Sequence, residues 1–407
     1  MRPGRADSVA SSRATTSPKA LHSARSSSTG PCSPTGPRRR KYRGGTIVPM
    51  ATVGIIGLPN VGKTTLFNAL TGLQAHTAPH PFSTVEPAVG VARVPDPVLD
   101  ALAEVEHPDK TVHATLDLLD LPAMARPGAT GLGGRFLGRL REMEAVAVVL
   151  RAFEDEGVPA DESGTDPVEQ AEALLLELAV ADLDVFSRKV EKAVKEATAD
   201  PSKKGAAAAV TAAIEVLDRG HALRSVQWSE QEDTVFRDLA PLTLKPAVWV
   251  VNVGEDDAQA EARAAAVAAV VPAGDTVVAL SAHIEEEASR LDPGERAELL
   301  EGFGLGEGAL ARVVRATYDA LHLLTFYTSG PKEVHARTVR RGASARVAAG
   351  KIHSDMERGF IRAEIAPAAE VVAAGGWDGA KAAGKVKVEG RDYVIVEGDV
   401  MVVRFSV

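Results

Sequence analysis

Cysteine is almost absent: Cys32 is the only one in 407 residues. A single thiol closes no disulfide within the chain and builds no thiolate metal site, which fits a reducing compartment. Long apolar runs are missing too. None approaches the roughly 18–20 residues a membrane-spanning helix needs, so the expected location is cytoplasmic, with no membrane partner. Acidic residues are scarce in one place only. Residues 1–49 hold ten Lys/Arg, including Arg38-Arg39-Arg40-Lys41, against the single acid Asp7. Rich in Ser, Pro and Gly, that stretch cannot form a core and reads as a disordered basic leader. Two accounts of it stand: a transit peptide, or a translation start set too early, with Met50 as the true first residue. The second is preferred because Met50 directly precedes the first core strand.

The rest is ordinary in bulk. Apolar residues make up 45 % and charged residues 25 %, the balance of a globular protein. The length suits two or three domains. Charge is uneven: against a whole-chain net of −9, residues 50–407 carry −18, and within them 325–407 carry +3. An acidic body does not bind RNA broadly, so any nucleic-acid contact is expected from the basic C-terminal segment.

The most informative stretch is Gly57-Leu58-Pro59-Asn60-Val61-Gly62-Lys63-Thr64, a complete Walker A loop, G-x-x-x-x-G-K-S/T. An apolar run, Val53 to Ile56, leads in as a buried parallel strand, and Thr65 to Thr71 leads out as a helix start. Strand, glycine loop and helix N-terminus together make an anion cradle. The expected contacts to nucleotide come from Asn60, Val61, Gly62, Lys63, Thr64 and Thr65. Lys63 reaches the β- and γ-phosphates, and the Thr64 hydroxyl is a ligand for Mg²⁺.

Further elements extend the pattern. The Pro-rich loop Ala78 to Pro87 precedes a strand toward Val94 and offers Thr84 as the first-switch threonine that meets Mg²⁺. Thr115 to Asp120 is a strand ending in an acid, and Asp120 suits the second Mg²⁺ position. Pro122 to Gly134, rich in Gly and Pro, suits a second switch. Strands follow at Ala145–Leu150, Leu244–Val251 and Thr276–Leu280, the last ending at Ser281-Ala282. Strands alternating with helices and ending in functional loops imply a doubly wound, mostly parallel α/β sheet.

Asn252-Val253-Gly254-Glu255 stands where P-loop GTPases read the base with Asn-Lys-x-Asp. Their Asp accepts twice from guanine. Glu255 is longer and spoils that fit, while adenine offers a single amino donor on the same edge. Asn252 and Glu255 are therefore assigned to the base, with ATP favoured or guanine selectivity relaxed. Ser281 and Ala282 are expected to close the base pocket through their backbone.

Apolar Leu176, Leu183, Phe186, Val190 and Val194 recur at helical spacing between about Asp166 and Ala199. Asp200 to Gly205 breaks that helix, and a second runs from Ala206 to about Leu223, giving an antiparallel arm. From about Thr325 short strands and Gly turns suggest a small mixed sheet with one helix, of β-grasp type, with two strands within Glu389–Val400. Its basic residues Lys332, Arg337, Arg340, Arg341, Arg346, Lys351, Arg358 and Arg362 leave a solvated face or an RNA contact open.

From Met50 to Val407 the chain resembles the YchF/Obg-like ATPases, P-loop proteins of the translation-factor GTPase class. The resemblance rests on Gly57 to Leu70, Pro81 to Pro87, Phe136 to Ala145, Leu178 to Asp184, Asn252 to Glu255 and, most specifically, Ala349 to Glu364. It implies a nucleotide domain over 50–160 and 241–324, a coiled-coil arm over 161–240 and a TGS domain over 325–407. It further implies Mg²⁺-dependent hydrolysis of ATP or GTP and a ribosome partner, met through the C-terminal domain and arm. Lys63, Thr84 and Asp120 would carry catalysis, and since Met124 stands where GTPases place a polar residue that orients water, the water would be oriented by something else. Three departures stand out. Ala123 replaces the glycine of the second-switch motif, in Asp120-Leu121-Pro122-Ala123. The segment after it is about two residues short. No His follows Phe153-Glu154-Asp155-Glu156 before His221. These keep an alternative open, a nucleotide-gated ribosome- or RNA-binding module with little hydrolysis, and beside it a GTPase with a degenerate base motif.

Overall fold

Two strands that are apolar but for one residue near each end, Arg151 and Asn252, mark the centre of the molecule. Apolar residues, many of them β-branched or small, fill the rest, and no side chain of Ala145–Ala152 or Ala247–Val253 reaches solvent appreciably. Such runs fit a parallel sheet covered on both faces. In the computed structural model, which describes residues 51–73, 87–124, 133–155, 157, 164–303 and 308–406, they are the middle of a six-stranded sheet.

In chain order the strands are β1 (Thr52–Ile56), β2 (Ala88–Arg93), β3 (Thr111–Val112), β4 (Thr115–Asp120), β5 (Ala145–Ala152), β6 (Ala247–Val253) and β7 (Thr276–Leu280), then β8 (Leu323–Thr328), β9 (Val334–Arg340), β10 (Phe360–Pro367), β11 (Lys387–Glu389) and β12 (Asp399–Phe405). The first sheet runs β2-β4-β1-β5-β6-β7, parallel except where β2 meets β4. Helices cover both faces. Leu70 of the Lys63–Thr71 helix and Val313, Val314 and Thr317 of the Ala309–Ala320 helix line one side with Val53 and Ile55. On the other, Gly54 leaves room for Leu140 and Met143 at the end of the Gly134–Glu142 helix. This is the expected α/β architecture.

The arm begins at Pro167–Ala199, started by Asp166, which accepts from Val168 N–H at 2.8 Å with Pro at the first turn. Asp200 caps the short turn Pro201–Lys203, and Lys204–Asp218 returns. Leu176 and Val194, expected on the buried face, are instead about half exposed. The buried line is Leu174, Leu178, Ala179, Asp182 and Phe186. A helix this long changes neighbours along its length: Leu174 and Leu178 join the main core, whereas Ala179 and Phe186 pack on Ala209, Val210 and Ala213 of the returning helix. The arm also holds a third helix, Glu230–Arg237, that the sequence reading missed. Its capping box, Ser229 with Glu232, was the legible signal. Phe236 from it meets the rings of Phe186 and Trp228 edge-on, with centroids at 5.6 and 5.0 Å.

The second sheet runs β11-β10-β12-β8-β9-β3, so Thr111–Val112, from the middle of the nucleotide-binding half of the sequence, closes its edge beside β9. Two expectations need correction here. Four helices, not one, belong to this region: Ala345–Ile352, Ser354–Arg358, Ala368–Ala373 and Trp377–Ala382. Within Glu389–Val400 the chain is mostly irregular: only Glu389, ending β11, and Asp399–Val400, starting β12, are strand. Tyr393 and Ile395 alternate as a strand would, but they dock across the start of the Ala345–Ile352 helix, where Ala345 N–H donates to Tyr393 at 2.7 Å and Ile395 N–H to Ala343 at 3.0 Å.

Candidate nucleotide site

The cradle forms at the C-terminal end of β1. Gly57 sits so close to β5 that a Cβ would lie 2.4 Å from the Val149 carbonyl oxygen. Gly62 has φ +93 and its Cβ would lie 2.3 Å from Asn252 Nδ2. Only glycine fits either place. Asn60 takes φ 60, a conformation asparagine tolerates better than most residues. Gly62 supplies no side-chain cap to the Lys63–Thr71 helix, so the first-turn N–H groups need an outside acceptor, which suits an anion. Thr64 and Thr65 belong to that first turn.

Lys63 is buried, and its ammonium donates to Leu58 O at 2.7 Å. Burial pulls its pKa down to about 8, partly offset by the Asp120 charge. Thr64 Oγ1 donates to Asp120 Oδ2 at 2.8 Å, while Asp120 Oδ1 is buried and has no hydrogen-bond partner. Desolvation raises the Asp120 carboxyl, against the Thr64 hydroxyl and the Lys63 charge. The Thr64 hydroxyl and the orphaned Asp120 oxygen are oxygen donors for a small hard cation, and the Lys63 ammonium beside them suits a phosphate. The residues present fit Mg²⁺.

The depressed Lys63 value has a testable consequence. Nucleotide phosphates would pull the proton back on, so binding takes up a proton where free Lys63 is partly neutral. Calorimetry in two buffers of different ionisation enthalpy should show uptake approaching one proton at pH 8.5 and close to none at pH 7. Absence of uptake at pH 8.5 would count against Lys63 meeting the phosphates. The same shift sets the sign for folding. Between about 8 and the ordinary lysine value the unfolded chain binds the extra proton, so this group's contribution to stability rises with pH there.

At the base end, Asn252 is 5 % exposed. Its Nδ2 donates to Val61 O and its Oδ1 accepts from Ala282 N–H, each at 2.9 Å. Asn252 is thus a strut between the phosphate loop and the Ala282–Ser289 helix. Ala282 N–H, assigned above to closing the pocket, is taken by that strut. Ser281 caps the same helix through its Oγ, which accepts from Ile284 N–H. Glu255 is exposed, and its nearest ionic partner is His283.

Met124 is 1 % exposed and lies in the main core, with its N–H donated to Gly57 O at 3.1 Å, in keeping with a water oriented by another group. It cannot present a group to water. Pro122 and Ala123, between the pinned Leu121 and Met124, are exposed. Thr84, residues 125–132 and the place near Ala160 where a His was sought lie outside the described residues. One residue was overlooked. Arg151, ending an otherwise apolar strand, is buried, donates from Nε to Phe153 O at 3.1 Å and from Nη1 to Asn60 O at 3.4 Å, and stacks 4.3 Å above the Phe153 ring. A lone cation closing a buried strand was the signal.

Comparison with known proteins agrees over most of the chain. A family model described as a 50S ribosome-binding GTPase matches residues 52–182, and the C-terminal model of YchF GTPases, described as a protein of unknown function, matches 323–406. The ribosome-binding ATPase YchF of Escherichia coli O157:H7 is 40 % identical over 358 residues, 87 % of this chain and 99 % of that protein. Obg-like ATPase 1 of Gallus gallus is 33 % identical over 365 residues, 87 % of this chain and 92 % of that one. The solved structure of the Schizosaccharomyces pombe YchF GTPase superposes with a TM-score of 0.76 at 28 % identity, covering 89 % of this chain and all of that one.

Proposed function

This chain belongs to the YchF family of P-loop NTPases, and from that membership we propose that it is a cytoplasmic, ribosome-associated ATPase. The observation that carries the reading is the buried, unpartnered Asp120 Oδ1 beside Thr64 and Lys63, a site that calls for a cation and a phosphate together. Lys63 and the loop N–H groups would hold the phosphates. Thr64 and Asp120, with Thr84, would hold Mg²⁺, which when bound neutralises charge on the phosphate oxygens. Hydrolysis is then in-line attack of water on the γ-phosphate, accelerated by positioning and electrostatics. With Met124 buried, the water is oriented by another group. Glu255 at the base edge favours adenine over guanine for the geometric reason given above.

The C-terminal region and arm are the proposed ribosome contacts. Their free positive charge is smaller than the residue count suggests. Arg340 pairs with Glu144, Arg341 with Asp319 and Arg358 with Asp355, and Arg337 turns inward to Thr328 and the Lys351 carbonyl. Arg346 and Arg362 remain exposed.

The test is ATP and GTP affinity and turnover with and without purified ribosomes. Tight ATP binding with ribosome-stimulated turnover is expected. Binding without turnover under both conditions would remove the enzyme reading. Ala123→Gly should raise turnover, by up to about tenfold for roughly one hydrogen bond gained in the transition state, with nucleotide affinity unchanged. Equal turnover in both forms would show that Ala123 does not limit hydrolysis.

A further inference from the structure

The Asn252 strut pins two elements side by side, the loop that follows β6 and the first turn of the Ala282–Ser289 helix. Three residues beyond Asn252, Glu255 stands exposed. One residue beyond Ala282, so does His283. Its Nε2 lies 3.6 Å from Glu255 Oε1 and 3.5 Å from Glu287 Oε1, one turn along the same helix. The other charged groups here are engaged elsewhere or exposed. Glu285 is buried and accepts from Ala309 and Leu310 N–H. Glu286 takes Asn68 and Arg290, Asp257 takes Arg263, and Asp256 is exposed on the Glu255 loop. Among the described residues, His283 is the one basic group paired with Glu255.

We infer that His283 is a positioning residue for nucleotide selectivity: it draws the Glu255 carboxylate toward the Ala282–Ser289 helix and so biases the site toward adenine. This rests on the reading of Glu255 as the residue that meets the base. A carboxylate leaning on His283 turns Oε1 toward the ring, 3.6 Å away, which leaves Oε2 as the oxygen free to meet a base. Adenine asks for one acceptor on that edge, whereas guanine, with its N1–H and amino group, asks for two. Releasing the carboxylate restores the second acceptor and favours guanine selectively.

The experiment is competition of ATP and GTP against a fluorescent nucleotide on the full chain, reported as the ratio of the two Kd values. An exposed pair of this kind supports an effect of about two- to fivefold. His283→Ala should shift the ratio toward GTP by that factor, without changing the melting temperature. His283→Lys, which places an ammonium facing Glu255, should not shift the ratio toward GTP. In a Glu255→Gln background His283→Ala should have no effect. If Glu255→Gln shifts the ratio and His283→Ala does not, His283 has no such role while the base reading survives. If neither shifts it, the base reading fails together with the inference. Failure of ATP to compete would overturn the proposed function itself.

Discussion

Replacing Asn252 with alanine is expected to lower stability by about 2–4 kcal/mol, the cost of two buried polar groups left unpaired. It should also weaken nucleotide binding by roughly 10- to 100-fold, as for a loop displaced by about an ångström. The side chain joins parts of the chain 191 and 30 residues away, Val61 and Ala282. Water does not reach either partner readily, so alanine leaves a carbonyl and an N–H without replacements. Val61 belongs to the phosphate loop, and the neighbouring Gly62 already lies so close to the Asn252 amide that no Cβ fits between them. The loop is therefore clamped against β6 by one carboxamide. Asn252→Asp is the sharper variant: it keeps the shape and the acceptor for Ala282 but offers Val61 O a carboxylate instead of a donor. Urea denaturation and a nucleotide titration on the same protein check both parts. Lost stability with unchanged affinity would mean that the strut holds the fold without shaping the cradle.

Asn252 also shows where the sequence stops being informative. The position was legible as part of a base-reading motif, because motif residues are close in sequence. Its bonds to Val61 and Ala282 were not, because nothing local encodes a partner so far along the chain. The same boundary runs through the rest of the fold. β1, β5, β6 and β7 could be read as strands because burial on both faces leaves an uninterrupted apolar run. The Lys63–Thr64–Asp120 cluster could be read because a strand-end acid beside a glycine loop has few other uses. Thr111–Val112 is too short to carry a period, and its place on the edge of the second sheet follows only from where the chain must cross. The alternation of Tyr393 and Ile395 is a strand's pattern on a segment that makes a single antiparallel bridge, Val394 to Ser344, at the start of a helix. Arg151 and Met124 make the complementary point. At one the charged side chain is buried beside the loop and at the other the thioether turns into the core, and each outcome depends on neighbours contributed by other elements.

Asp182→Ala is expected to destabilise the root of the arm by about 3–5 kcal/mol, the range for removing one partner of a buried charged network. Asp182 is 1 % exposed on the Pro167–Ala199 helix. One oxygen accepts from Leu242 N–H at 3.0 Å, and the other accepts from the N–H and hydroxyl of Thr243 at 2.8 and 2.9 Å. Arg141 approaches at 3.4 Å. Desolvation lifts the carboxyl above its ordinary range, opposed first by the N–H groups of Thr243 and Leu242. A group kept despite that burial cost is explained by what it satisfies. The chain re-enters the main sheet through Leu242–Leu244, and Asp182 supplies the acceptors that this turn lacks. Alanine leaves three buried donors open, while Arg141 is exposed enough to find water. Asparagine is no remedy, because it has one acceptor where the site uses two. The arm and the sheet each hold a reporter: Trp228 donates to Leu223 O inside the arm, and Trp249, in β6, donates to Asp275. In single-tryptophan variants of Asp182→Ala, Trp228 should report a transition at lower urea than Trp249, showing that the arm loosens first. A single coincident transition displaced by less than about 1 kcal/mol would show that the turn finds its acceptors elsewhere and that Asp182 does not anchor the arm.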